Sequence, residues 1–351
     1  MVDEVFPQVK GAPDVPGLAF RFYRGEEDIP LLHAVTERET AANGQEHTFT
    51  LEDMRRYYRH LSNCDLARDL LIAEVEGEMV AFSRAWWLEI IPSGYAYRFF
   101  VTVMPELESS GLRLAMLRWN EEHFRSIASA HAGGGSKNLE VWVEDVERDM
   151  TACLEREGYQ RLKPSYLMRR SLTGKLPDIP LPEGLEVRPV GQRDYRKLWD
   201  ADVDACRDSW EPIVVDENHY QMWLDSLQFQ PELWRVAWDD DEIAGAVQNH
   251  IIPEENAKFN RRRGYTENIH VGRKWRGRGV AKALIASSFR LLKERGMDEA
   301  ALGVDTKNPT GALNLYKFMG FEVAKTTHLY RKPLRVTACQ SPSSGLSRCS
   351  S

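Results

Sequence analysis

The chain has 351 residues, 42% hydrophobic and 28% charged, the balance of a globular protein with material for about two cores. A formal charge of −7 argues against a polynucleotide-coating protein, because phosphate contacts require a net basic face. Five cysteines with no CxxC pair point to neither a disulfide framework nor a zinc site, and no metal is expected.

Residues 1–17 read as an N-terminal extension. The opening MVDEVFPQVKGAPDV lacks the basic lead and apolar core of a signal peptide. Nowhere does an apolar run approach the length of about 18 residues that would span a bilayer, so the expectation is a cytoplasmic protein with no membrane partner. Strand-like LAFRF starts at Leu18, followed by an acidic stretch and a helical pattern; later come VMPELESSGLRLAML from Val103, EREGY ending at Tyr159 and YLMRRSL from Tyr166. The stretch LTGKLPDIPLPEGLEV carries Pro177, Pro180 and Pro182, which neither donate to a ladder nor continue a helix, so 173–184 reads as a stiff linker.

Beyond the linker the elements are sharper. Val187–Val190 reads as a short strand, and Arg193–Cys206 and Glu217–Leu227 as helices. WRVAWDDDEIAGAVQNHII reads as a hairpin with its turn at Asp239–Asp241, and Tyr265–Val271 alternates as a strand. A helix over Val280–Arg295 stops at Gly296, EAALGVD forms a strand ending at Asp305, and Gly311–Met319 is a helix ended by Gly320. FEVAKTTHLYRK returns as strand, and 336–351, small and polar, is expected to be a disordered tail.

The two halves repeat each other. Leu18 lies on Leu185, Val103 on Val271, Tyr159 on Phe321 and Tyr166 on His328, at offsets of 167, 168, 162 and 162. These matches imply an internal duplication, with domains at 18–172 and 185–335. Each is expected to be an α/β (mixed α+β) unit, a mostly antiparallel twisted sheet with helices on both faces.

VGRKWRGRGVAKALI, from Val271, places a glycine-rich turn between a strand and a helix. A helix N-terminus presents amides without intrahelical partners and the positive end of the dipole, which together bind phosphate. Gly277 and Gly279 would let the backbone approach a ligand, Ala281 keeps the first turn small, and Arg276 and Arg278 add charge. A dinucleotide loop would need glycine where Lys282 stands, and a nucleic-acid patch would need a basic helix face behind the loop.

RGRGVA fits the R/Q-x-x-G-x-G/A signature of the GNAT superfamily of N-acetyltransferases, and NPTGALNLYKFMGFE, about thirty residues on, resembles the family's second signature. The duplicated layout resembles tandem GNAT proteins such as mycothiol synthase. By that resemblance, the main chain of Arg276, Gly277, Arg278, Gly279, Val280 and Ala281 would cradle the diphosphate of acetyl-CoA. Val271 and Gly272 would pair with the pantetheine arm where the sheet splays, Asn308 would contact that arm, and Tyr316 would stand near the sulfur. The implied activity is transfer of an acetyl group from acetyl-CoA to a primary amine of a small molecule or peptide; the alternative is a non-catalytic acyl-CoA-binding module. Monomer and homodimer both remain open.

Tyr316 is the candidate acid for the leaving thiolate. The resemblance implies a base on the preceding strand, at Glu267, with Tyr265, His270 or no protein base as alternatives. Strict alternation would put residues 265, 267, 269 and 271 on one face and His270 on the other. The acids Asp202, Asp204, Asp208 and Glu211 would either draw a cationic amine or form a solvated helix end. In the first half, Glu108 replaces Arg276, Ser109 replaces Gly277, Arg113 replaces Ala281 and Leu154 replaces Tyr316. That half is expected to keep the fold without the chemistry.

Overall fold

The computed structural model describes residues 7–46, 49–92, 94–131 and 135–335; the expected tail at 336–351 lies outside them, as does the very start of the N-terminal extension. The first half runs β1 (Leu18–Phe22), α1 (Ile29–Ala42), α2 (Leu51–Arg59), α3 (Leu66–Asp69), β2 (Leu70–Val75), β3 (Glu78–Glu89), β4 (Gly94–Val103), α4 (Leu112–Ala130), β5 (Ser136–Glu144), α5 (Arg148–Arg156) and β6 (Gln160–Ser171). The second runs β7 (Glu186–Arg188), α6 (Tyr195–Cys206), α7 (Glu217–Asp225), β8 (Arg235–Asp239), β9 (Glu242–Ile251), α8 (Pro253–Lys258), β10 (Arg263–Val271), α9 (Val280–Glu294), β11 (Glu299–Asp305), α10 (Ala312–Phe318) and β12 (Glu322–Pro333). Apart from α8, which the sequence reading did not contain, each element of the second half overlaps its predicted position.

All twelve strands join one sheet, in the order β1-β2-β3-β4-β5-β12-β6-β11-β10-β9-β8-β7. The halves therefore exchange their last strands. β12 pairs antiparallel with β5 (Thr327 opposite Glu144), and β6 pairs antiparallel with β11 (Ser165 opposite Asp305). β6 and β12 also pair with each other at the centre. A buried ion cluster reinforces the seam: Glu140 of β5 accepts from Arg98 at 3.0 Å and from Arg331 of β12.

Each half has a core on each face of the sheet. One face packs under α1 and α2 in the first half (Ile29, Leu32, Val35, Met54, Leu70, Ile72) and under α6 in the second (Leu198, Trp234, Val236, Trp238). The other face packs under α4 and α5 (Leu112, Met116, Phe124, Leu154) and under α9 and α10 (Leu284, Ile285, Phe289, Tyr316). Residues 173–184 must travel from mid-sheet β6 to the far edge at β7. They do so as extended chain packed on the α9 face, burying parts of Leu176, Ile179 and Leu181.

The strand carrying Glu267 departs from strict alternation. β10 pairs with β9 at Glu267–Gln248 and at His270–Ala246, so Asn268 and Ile269 together oppose Val247 alone. This is a β-bulge, and Asn268 sits in the left-handed region at φ 46°. The extra residue reverses parity, placing His270 on the same face as Glu267, while Ile269 and Val271 pack with the α9 core. The expectation that 265, 267, 269 and 271 share a face is corrected accordingly.

Candidate active site

The pairing of β10 with β11 covers Arg263–Tyr265 and then ends, although both strands continue. The strands splay, and the gap opens towards the start of α9. In an antiparallel ladder, backbone groups alternate between facing the partner and facing away. The Gly272 amide donates to Ala244 O at 3.0 Å, so the Val271 amide points away from β9, into the gap. Of the two residues expected at the pantetheine, Val271 offers the free amide. Gly272 has a steric reason to be glycine: a Cβ there would lie 2.8 Å from the Trp275 ring.

A groove of about 600 Å³ extends along the gap from the splayed strands to the α9 N-terminus. It is lined by Val271, Arg276, Gly277, Arg278, Gly279, Val280, Ala281, Asn308 and Tyr316, so all but Gly272 and Glu267 of the sequence-expected residues meet along one surface. Gly277 and Gly279 adopt φ of 74° and 91°, a conformation in which side chains are strained, and Gly279 caps α9. Nothing lies within 4 Å of a Cβ placed on either, so the requirement visible within the chain is conformational. The first helical bond runs from Ala283 to Gly279 O, and the amides of residues 277–282 find no acceptor among the described residues. Six unpaired donors at the positive end of a 15-residue helix form a cradle fitted to a diphosphate.

The arginines of this loop have partners inside the chain. Arg276 donates to Val271 O at 3.0 Å and to Asp208 at 2.6 Å, and Arg273 reaches both Asp204 and Asp208. Arg278 donates to Glu183 O in the linker. The acids expected around the acceptor are thereby accounted for: Asp204 and Asp208 neutralise the loop, Glu211 binds Arg331, and Asp202 lies 3.0 Å from His270 Nδ1.

Tyr316, on α10, is buried at the inner end of the groove. Burial, aided by the Glu267 charge, pushes its phenol well above the usual range, so it stays protonated. Glu267 accepts the Gly303 amide at 2.8 Å across the splay. Burial raises its carboxyl to about 7 against that opposing hydrogen bond. Part of its surface opens onto a second cavity of about 650 Å³, on the α6 and α7 face. That cavity is lined by Trp199, Trp223, Phe229, Gln248, Glu255 and Tyr265 of the second half and by Phe49, Asp53, Arg56 and Tyr57 of the first. The first-half residues of this wall are not identifiable from the sequence, since no local spacing ties α2 to β10. Asn308 uses its Oδ1 to hold the turn at Thr310, at 3.0 Å from the amide.

The first half repeats the scaffold with its groove filled. Gly111 caps α4 at φ 88°, as Gly279 caps α9. The Leu112 amide is taken by Ser110 Oγ at 3.1 Å. Arg113, 2% exposed, turns into the splay beside β4 and donates to Val101 O at 2.6 Å, to Glu39 at 2.6 Å and to Asp149 at 2.7 Å. An internal guanidinium thus occupies the space that stands open in the second half.

Residues 195–321 match the model of the acetyltransferase (GNAT) family. The mycothiol acetyltransferase of Geodermatophilus obscurus is 25% identical over 264 residues, covering 72% of this chain and 79% of that protein. N-alpha-acetyltransferase 30 of Schizosaccharomyces pombe is 32% identical over 107 residues, 30% of this chain and 67% of that protein. The chain belongs to the GNAT family of acetyltransferases. A crystal structure of a GCN5-related N-acetyltransferase from Sphaerobacter thermophilus shares the fold over 92% of this chain and 97% of its own, with TM-score 0.67 and 24% identity. As a GNAT protein the chain is an acetyl-CoA-dependent acetyltransferase with an amine as acceptor. Among the described residues no helix is long and apolar enough to cross a membrane.

Proposed function

We propose that the second half alone carries the reaction, between Tyr316, which lines the groove, and Glu267, which lines the second cavity. The observation that carries this reading is the row of unpartnered amides at residues 277–282, continuous with a groove ending at Tyr316. Those amides hold the diphosphate, with Arg278 adding charge and Arg276 exchanging Asp208 for phosphate oxygen. The Val271 amide, aimed into the gap, serves the pantetheine arm or the thioester carbonyl.

Glu267, half-ionised near neutrality, takes the proton from the incoming ammonium, leaving a nitrogen lone pair to attack the thioester carbonyl. The carbon–sulfur bond breaks, and Tyr316 donates a hydrogen bond to the departing sulfur. Because its pKa is raised, this is mainly stabilisation: the nitrogen sheds a second proton after attack, which neutralises the thiolate, while the proton first taken by Glu267 passes to solvent. The bulge favours a second proton acceptor, His270, which lines the groove on the same face as Glu267 beside Asp202.

The test is thiol release from acetyl-CoA over a panel of amines, alongside calorimetry with CoA. Turnover on an amine supports catalysis. Tight CoA binding without turnover on any amine favours the acyl-CoA-binding module, and no CoA binding removes the reading.

A further inference from the structure

The second cavity carries information about the acceptor, and the inference drawn from it rests on the reaction site proposed above. Its walls are aromatic rings from both halves. Trp199 of α6 lies with its ring 5.6 Å from that of Trp223 of α7, Phe229 meets Trp223 edge-on at 4.8 Å, and Tyr57 of α2, its ring 6.1 Å from that of Phe49, lines the same space. Most polar groups facing the space are already satisfied. Gln248 Oε1 accepts from Trp223 Nε1 at 2.9 Å and from Asn268 at 3.1 Å. Arg56 is held by Glu52 and the Asp225 carbonyl, His219 by Asp216, and Glu255 by Arg261 and the Tyr265 hydroxyl. His250, stacked on Tyr265, is kept neutral by burial. Glu267, at the inner end, has Gly303 as its one hydrogen-bond partner among the described residues.

A polyhydroxylated amine would surrender water at each hydroxyl for walls that return few hydrogen bonds, and each hydroxyl left unsatisfied weakens binding. A flat apolar body would gain from burial against the rings, and its ammonium would meet the carboxylate at the inner end. We propose that the acceptor is a small primary amine on an aromatic skeleton, its ring held between Trp199 and Tyr57 and its nitrogen delivered to Glu267. Trp199, from the second half, and Tyr57, from the first, are the specificity-determining residues.

The test compares kcat/KM for tryptamine, 2-phenylethylamine, glucosamine and the dipeptide Phe-Gly, with acetyl-CoA saturating. The expected order puts the two aromatic amines about 100-fold or more above the other two. In Trp199→Ala the KM for tryptamine rises about 10-fold with kcat within about 3-fold, the KM for acetyl-CoA is unchanged, and Trp199→Phe recovers most of the loss. Preference for glucosamine or Phe-Gly, or no turnover of either aromatic amine, overturns the proposal while leaving the reaction site standing if another amine is acetylated. A Trp199→Ala enzyme that loses kcat at constant KM also overturns it. Absence of acetyl-CoA binding in the same preparation is the separate failure of the site itself.

Discussion

At the scale of single residues, the proposed chemistry rests on two groups, Tyr316 and Glu267, whose ordinary acidity burial has shifted. Replacing Tyr316 with Phe keeps the ring in its core and removes the hydroxyl that stabilises the departing sulfur, so kcat should fall about 100- to 1,000-fold with little change in the KM for acetyl-CoA. Unchanged turnover would remove Tyr316 from the mechanism. For Glu267, the folded carboxyl at about 7 lies above its ordinary 4.5, so between those pH values the folded chain binds more protons than the unfolded one. Stability therefore falls as pH rises through that window. Glu267→Gln should be more stable than wild type at pH 8 by about 1–3 kcal/mol and no more stable at pH 4, as read from thermal melts. The ratio of wild-type to variant kcat/KM should climb through pH 7 and level above it; a flat ratio would transfer the role of base to His270 or to no side chain. Both residues were legible in the sequence, Tyr316 and Glu267 alike through the family resemblance. The environment of Glu267 was not, because the bulge at Asn268 is set by how β10 registers on β9.

Elements explain why one copy of the duplication is open and the other shut. α4 and α9 begin alike, at glycines with φ of 88° and 91°, and diverge at the second residue of each helix. Ala281 leaves the splay beside β10 clear, while Arg113 fills the splay beside β4 and ties Glu39, Asp149 and the Val101 carbonyl together. The sequence sets Arg113 where the second half has Ala281; in the structure its side chain turns inward and becomes structural. Removing one partner of a buried ion cluster strands the others. Arg113→Ala should therefore cost about 3–5 kcal/mol in denaturant unfolding, with the KM for acetyl-CoA in the surviving folded fraction unchanged. A loss of acetyl-CoA affinity as large as the loss of stability would show that the first half also holds the nucleotide.

Across the whole molecule, strand exchange makes the halves interdependent. Without β6, β11 loses its antiparallel neighbour, and without β5, β12 loses one side of its ladder. Each half alone would expose unpaired backbone at mid-sheet. A fragment spanning 185–335 should accordingly fail to give a soluble monomer with a cooperative melt, and the intact chain should unfold in a single calorimetric transition. Two separate transitions, or a stable monomeric fragment, would refute this coupling. The same geometry brings α2 against α7 and so makes the first half a wall of the second cavity.

The sequence by itself determined the repeat, the order of elements and the glycine turn, because these rest on preferences acting within a few residues: periodicity, left-handed glycines and helix starts. Tertiary structure alone decided the exchanged strands, the bulge that turns His270 beside Glu267, and the aromatic cavity shared by α2 and α7. Those features depend on pairing and packing between segments far apart in the chain, where several registers satisfy the same local pattern and the total buried surface selects among them.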